Sequence, residues 1–244
     1  MFDISLGQGH ELLRTLQVAG LSADQAIQLI KEPETARRLV TTFFYPWSVS
    51  MPLWWRTPEE QVARARRTWG ADLEIPDIPT DFVPRSSTEV LLLHVPRSMK
   101  AMWDAIKAPA DYAKNGGWEW VFNAKFNLLH RVPSHINPVW VGFDPNFPLE
   151  ADKGRKKAPR AEMPLGCYLA ASEVMSAAAQ FTDWILTWKD DGPDMAGYSL
   201  QVPDRDYGKT SVVCLRTRTY PRNQVGFRII PASLATKASL VRTL

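Results

Sequence analysis

The spacing of hydrophobic positions changes several times along the chain, and each change predicts an element. Leu12, Leu13 and Leu16 sit at helical spacing. Ala26, Ile27 and Ile30 repeat it behind a Ser22/Gln25 capping-box pattern, and Ala36, Leu39, Val40 and Phe43 repeat it again. Three short helices are expected, each too short to be stable alone, so their apolar faces should be buried on one another or on the rest of the chain. Pro46, Pro52 and Pro58 then interrupt the Trp-rich connector 43–61. Thr57, Pro58 and Glu60 mark a new helix start, and that helix should run to about Trp69. It carries Val62, Ala65 and Trp69 on one face and Arg64, Arg66 and Arg67 around the other.

Prolines and acids between 71 and 87 predict an extended linker and a domain boundary. Residues 88–96, TEVLLLHVP, form a continuous apolar run bounded by turn residues, as a central strand would. Ser98 caps the next helix, whose stripe is Met99, Met102, Trp103 and Ile106. Gly116 and Gly117 stand between a helix end and an alternating strand with Trp118 and Trp120 on one face. The polar, proline-rich stretch 130–164 is too long for an ordinary connection and reads as a surface excursion or functional loop. Residues 171–188 predict one long buried helix with Val174, Ala178, Phe181, Ile185 and Trp188 at helical spacing. Strands over 196–202, 211–220 and 225–233 follow, separated by turns. In the second, Val213, Leu215, Thr217 and Thr219 share one face, and Val212, Cys214, Arg216 and Arg218 the other; in the third, Val225, Phe227 and Ile229 oppose Arg228.

Composition narrows the class without naming a reaction. With 244 residues, 45% of them hydrophobic and 23% charged, the chain has enough apolar material for a sizeable core, which excludes a disordered or low-complexity protein. Ten tryptophans favour a core with polar handles over a stacking surface. The net charge of +3 is spread among nearly as many acids, so it argues only weakly for nucleic acid; the densest basic run, Lys153 to Lys157, reads as a solvated linker. Cys167 and Cys214 give neither a disulfide framework nor a zinc spacing and read as reduced thiols. There is no secretory-type leader pattern and no uninterrupted apolar run of about eighteen residues, so a cytoplasmic protein without membrane contact is expected.

No catalytic constellation assembles from the residues. His130 and His135 are separated by Pro133 and lack an acid or thiol beside them, His10 stands alone, and His94 lies in the apolar run as a hydrogen-bonded core residue. Gly7 and Gly9 lack the preceding strand of a phosphate loop, and the acids of 189–194 and 203–208 are explained by turn chemistry. No cofactor and no metal are expected.

The segments EVLLLHVPRSM, DYAKNGGWEWV, EVMSAAAQFTDWILT and SVVCLRTRTYPRNQVGFRIIPAS resemble a group of uncharacterised proteins from Patescibacteria, over roughly the last two-thirds of the chain. NQVGFRIIPAS is similar to the last strand of the C-type-lectin-like fold of formylglycine-generating-enzyme relatives and of variable proteins of diversity-generating retroelements. The resemblance implies a buried Gly-Phe-Arg strand at the centre of a small irregular sheet, with the residues upstream of it displayed on a binding face. It brings no enzyme with it, because Cys214 lacks the close second cysteine of the copper-holding relatives.

The expected architecture is therefore α+β: a helical region over 1–70, a linker over 71–87, and a lectin-like domain over 88–244 with a small irregular sheet and a long buried helix. The expected function is non-catalytic recognition of a protein or carbohydrate through Arg205, Tyr207, Arg216, Arg218 and Tyr220. The alternative is association with nucleic acid through Arg64, Arg66, Arg67 and the run Lys153 to Lys157.

Overall fold

The computed structural model describes residues 11, 14–33, 35, 42, 45, 47–48, 51–114, 125–128, 135–148, 165–188, 193, 195, 198–201, 211–218, 223–231 and 237–244. The chain divides into two compact units, Met1–Val49 and Ser50–Leu244, so the division falls at 49/50 and the proline-rich stretch 71–87 lies inside the second unit. In the first unit the capping box forms as expected. Ser22 accepts from the Gln25 N–H while the Gln25 side chain accepts from the Ser22 N–H, and α1 runs over Ala23–Lys31 behind them. Its apolar residues are not all covered, since Ile27 is 48% exposed. Of the expected third helix, only residues 42 and 35 beside it are described.

The second unit mixes α and β. Its helices are α2 (Pro58–Trp69), α3 (Met99–Ala105), α4 (Ser172–Gln180) and α5 (Thr182–Ile185). Its strands are β1 (Val90–His94), β2 (Ala113–Lys114), β3 (Lys125–Leu128), β4 (Val139–Pro148), β5 (Cys167–Leu169), β6 (Tyr198–Gln201), β7 (Ser211–Arg218), β8 (Gln224–Pro231) and β9 (Lys237–Thr243). They form a four-stranded sheet in the order β1-β4-β9-β5, a three-stranded sheet β2-β8-β7, and the pair β3-β6. The four-stranded sheet is antiparallel throughout, and β2 joins β8 in parallel.

β1 was expected at the centre of a sheet and lies instead at an edge, although all five of its residues are buried. The reason is a glutamine. Thr57 caps α2 and Gln61 falls one turn later, buried with Ala65 on the helix face turned to the sheet. The Gln61 amide donates to the Leu91 carbonyl at 3.0 Å and accepts from the Leu93 N–H at 2.8 Å, as a neighbouring strand would. Its second N–H donates to the Arg56 carbonyl at 2.9 Å, and the Trp55 indole N–H adds a bond to the Leu91 carbonyl at 2.9 Å. The inward face of α2 thus includes a polar residue, where Val62 and Trp69 were expected to lead and are only half-buried.

Other differences share a non-local cause. The stretch 130–164, expected as a loop, contains β4, an interior strand paired with both β1 and β9. Pro145 and Pro148 disguise it in the sequence, and the register with β9 shifts between Asp144 and Phe147, where a proline without an N–H breaks the ladder. β9 extends the β-structure beyond the strand expected over 225–233 and is also interior. The residues before Gly116, expected as a helix end, are the short strand β2; Trp118 and Trp120 lie outside the described residues. The single long helix expected over 171–188 is two, broken at Phe181, whose φ of −115° and ψ of 74° leave the helical region. Phe181 is wholly buried and packs on Trp54 at 5.3 Å, so its side-chain burial accompanies the break.

The connector around Pro52 is part of the core. Trp54 lies 5.6 Å from Trp184, which meets Phe143 edge-on at 5.6 Å and Trp188 at 5.1 Å. Trp55, Trp103, Trp140, Trp184 and Trp188 are all buried, which agrees with the expected core role of the tryptophans. The Ser98 cap and the Met102, Trp103 and Ile106 stripe of α3 are as expected. No helix among the described residues is long and apolar enough to cross a membrane.

Gln61→Ala should lower the free energy of unfolding by about 2–4 kcal/mol, since it leaves a carbonyl and an N–H of β1 buried with fewer partners and opens a small cavity. Arg66→Ala, on the exposed face of the same helix, should stay within about 0.5 kcal/mol; urea unfolding followed by tryptophan fluorescence checks both. Gly142→Ala should cost about 1–3 kcal/mol by the same measurement, because a Cβ there runs into the Glu89 carboxylate.

Candidate functional site

The expected binding face is only partly described. Arg205, Tyr207 and Tyr220 lie outside the described residues, as does the run Lys153 to Lys157. Arg216 and Arg218 are both on β7, the outer strand of the three-stranded sheet, opposite Gly226 and Gln224 of β8. The alternation of β7 holds only in part, because Cys214, expected on the face of Arg216, is buried as well. Leu215 and Thr217 are buried, with Thr217 donating to the Trp188 carbonyl at 2.6 Å, whereas Arg216 is half-exposed and has no hydrogen bond or ion pair among the described residues. Val225 and Phe227 of β8 are buried, as expected for a scaffold strand, and Phe227 packs on Trp103 at 4.7 Å.

The alternative basic face is smaller than it looked. Arg66 and Arg67 are exposed, but Arg64 is half-buried and donates to Thr182 Oγ1 at 2.7 Å. Burial and then the neighbouring Arg56 and Arg67 charges lower its pKa, while Asp183, itself paired with Arg56, opposes them. Two exposed guanidinium groups on a short helix make a modest phosphate surface.

A second group of polar side chains converges inside the four-stranded sheet, and only His94 in it was singled out as a polar core residue. His94, at the end of β1, holds Ser176 Oγ of α4 through Nδ1 at 2.8 Å. His135 lies 5.8 Å from the His94 ring, edge-on, and its Nε2 meets the Tyr168 hydroxyl of β5 at 3.1 Å. Tyr168 donates to Glu173 Oε1 at 3.1 Å, and Glu173 Oε2 accepts from the Ala171 N–H at 2.8 Å at the start of α4. His94, Tyr168, Glu173 and Ser176 are all buried; His135 is half-exposed. Burial holds the His94 pKa below the ordinary histidine value, Glu173 opposes that, and His135 reinforces it. Burial, then the charge of Glu173 and the bond to it, raise the Tyr168 pKa, so the phenol keeps its proton.

Because the Tyr168 proton goes to Glu173, its oxygen lone pairs receive the Nε2–H of His135, which fixes that tautomer. Ser176 touches His94 as a nucleophile would touch its base, but Ser176 has no exposed surface, so the pair is arranged for packing. The sequence does carry a signal for this group: Glu173, Ser176 and Gln180 recur at spacings of three and four on an Ala-rich helix, a polar stripe on an element that reads as buried. The Gln180 amide, also buried, has no hydrogen-bond partner among the described residues.

The two cysteines belong to different sheets, Cys167 in β5 and Cys214 in β7, and neither is in a disulfide. Burial raises the Cys167 pKa, against the lowering effect of Arg85. No group of three or more His, Cys, Asp or Glu among the described residues is arranged to hold a metal ion. Neither a protein-family model, nor a curated protein, nor a solved structure matches this chain.

Tyr168→Phe keeps the ring but removes the bond to Glu173 and the acceptor for His135. It should lower the unfolding free energy by about 1–3 kcal/mol in urea titrations at neutral pH.

Proposed function

We propose that the second unit is a non-catalytic recognition module that takes an acidic protein or carbohydrate partner on the β7 face. The observation that carries this reading is Arg216, half-exposed on an outer strand with no acid beside it among the described residues. The opposite face of the strand is occupied with folding through Leu215 and Thr217, and Cys214 on the side of Arg216 is buried too, so the part of the strand open to a partner begins at Arg216. Arginine supplies five donors in a fixed fork that suits carboxylate and sulfate groups. Arg218 shares the face of Arg216 by alternation, and Arg205, Tyr207 and Tyr220 extend it in the sequence on either side.

The finer reading of the fold is a C-type-lectin-like domain. It is supported by a small three-stranded sheet whose middle strand, β8, carries the Gly226-Phe227-Arg228 tripeptide, with Val225 and Phe227 buried and the Arg-rich strand beside it. In such a domain β8 is scaffold and the partner meets β7 and the turns flanking it. The Patescibacteria resemblance fits this reading without adding a ligand. A cytoplasmic location is likewise part of the proposal.

The test uses immobilised polyglutamate and a sulfated polysaccharide as acidic probes, with duplex DNA as the comparison. Retention on at least one of the first two should fall about tenfold or more in the Arg216→Ala/Arg218→Ala variant, with urea unfolding unchanged. Equal retention of variant and parent, or retention on DNA that is lost with Arg66→Ala/Arg67→Ala instead, rejects the β7 face.

A further inference from the structure

The polar group beneath α4 forms a closed circuit of side chains. It runs from Ser176 to His94 on β1, across the ring contact to His135, through Tyr168 on β5 to Glu173, and back along one turn of α4 to Ser176. β1 and β5 are the two edges of the four-stranded sheet, so the circuit ties one helix to both sides of it. Of its four links between side chains, three are hydrogen bonds and the fourth is the 5.8 Å contact between the two imidazole rings.

We propose that His94, packed edge-on to His135, is an acid-sensitive latch that holds α4 against the four-stranded sheet and loosens it when the buried imidazole is protonated. His135 is half-exposed and donates its Nε2–H to Tyr168. His94 has no such access to water: it is 1% exposed, its Nδ1 is engaged with Ser176, and a charge on it would be buried edge-on to the His135 ring. The groups packed around it are few. α4 brings Glu173 and Ser176, β5 brings Tyr168, β4 sets Val139 opposite it, and α3 brings Met102, whose sulfur lies 3.8 Å from Ser176 Oγ. Glu173 is the one acid in the circuit, and both its oxygens are committed, to Tyr168 and to the Ala171 N–H.

The sign follows from the depressed folded-state pKa of His94. The unfolded chain takes up a proton near pH 6.5 that the folded chain refuses, so the stabilisation is complete above about pH 6.5 and is lost progressively as the pH falls below it. At pH 5.0, a proton refused completely multiplies the unfolding equilibrium constant at most about 30-fold relative to pH 7.5.

The experiment is urea unfolding of the full chain at pH 7.5 and 5.0, for the parent and for His94→Gln, which keeps a hydrogen-bonding group toward Ser176 but does not titrate. The parent's unfolding equilibrium constant should rise between the two pH values severalfold, and up to about 30-fold, more than the variant's, with amide exchange rising first in β1 and α4. Equal pH dependence in parent and variant overturns the proposal. Should His94→Gln not fold, an imidazole titration of the parent by NMR decides, with the His94 ring identified by its contacts to Ser176 and Met102. The latch requires His94 to stay neutral well below pH 6.5 in the folded chain, and a His94 that titrates at the ordinary histidine value with the fold intact overturns it.

Discussion

The side-chain amide of Gln61 does for β1 what a fifth strand would otherwise have to do. An edge strand presents alternate carbonyls and N–H groups away from its neighbour, and leaving such groups buried without partners costs about 1–3 kcal/mol each. Leu91 and Leu93 have no exposed surface, so water is not there to bond with them. One planar amide, with a donor and an acceptor set apart much as in a peptide group, satisfies both. Its position is decided locally. Thr57 and Glu60 fix where α2 starts, the Gln61 N–H makes the first helical bond to the Thr57 carbonyl at 2.9 Å, and the side chain is thereby aimed at the strand. A capping pattern legible in the four residues Thr57 to Glu60 therefore closes the edge of a sheet thirty residues away in sequence.

The contrast between what is legible and what is not follows the range of the interactions. Both capping boxes, the stripe of α3 and the pair β7 and β8 rest on neighbours in sequence, and each is where its pattern places it; β1 is found at its apolar run but at a sheet edge. β4 and β9 rest on each other and on a partly buried ion pair. Arg242 makes β9 look polar until Glu89, 153 residues earlier, pairs with it at 2.7 Å, and the same carboxylate occupies the space where Gly142 of β4 has no Cβ. Prolines in β4 read as loop signals because no local rule reveals that a bulge between Asp144 and Phe147 absorbs one of them. The candidate binding residues divide differently: the alternation that separates Arg216 from Leu215 and Thr217 is legible, whereas the circuit beneath α4 needs three elements and a preceding segment to meet.

That circuit has a physical reason to exist. Ala177, Ala178 and Ala179 keep α4 slender, so it approaches the sheet closely and is buried on every side. A helix in that position gains from dispersion and apolar burial but loses access to water for any polar residue it carries. Glu173 and Ser176 must then find partners in the sheet, and those they find are on its two outer strands. Such bonds add little net stability relative to apolar packing, yet they are satisfied at only one rotation of the helix. The circuit thus selects an orientation that three similar alanines leave open.

The same division of labour applies at β7. Its Leu215 N–H is taken by the Pro193 carbonyl at 3.1 Å and its Thr217 hydroxyl by the Trp188 carbonyl, so the outer edge and the inner face are both committed to the fold. A partner that adds a strand there would have to displace the Pro193 bond, which disfavours recognition by edge pairing. What remains available is the side-chain face of Arg216. In the proposed recognition role, a strand held at its edge and on its inner face leaves chiefly the Arg216 side chain to be ordered on binding.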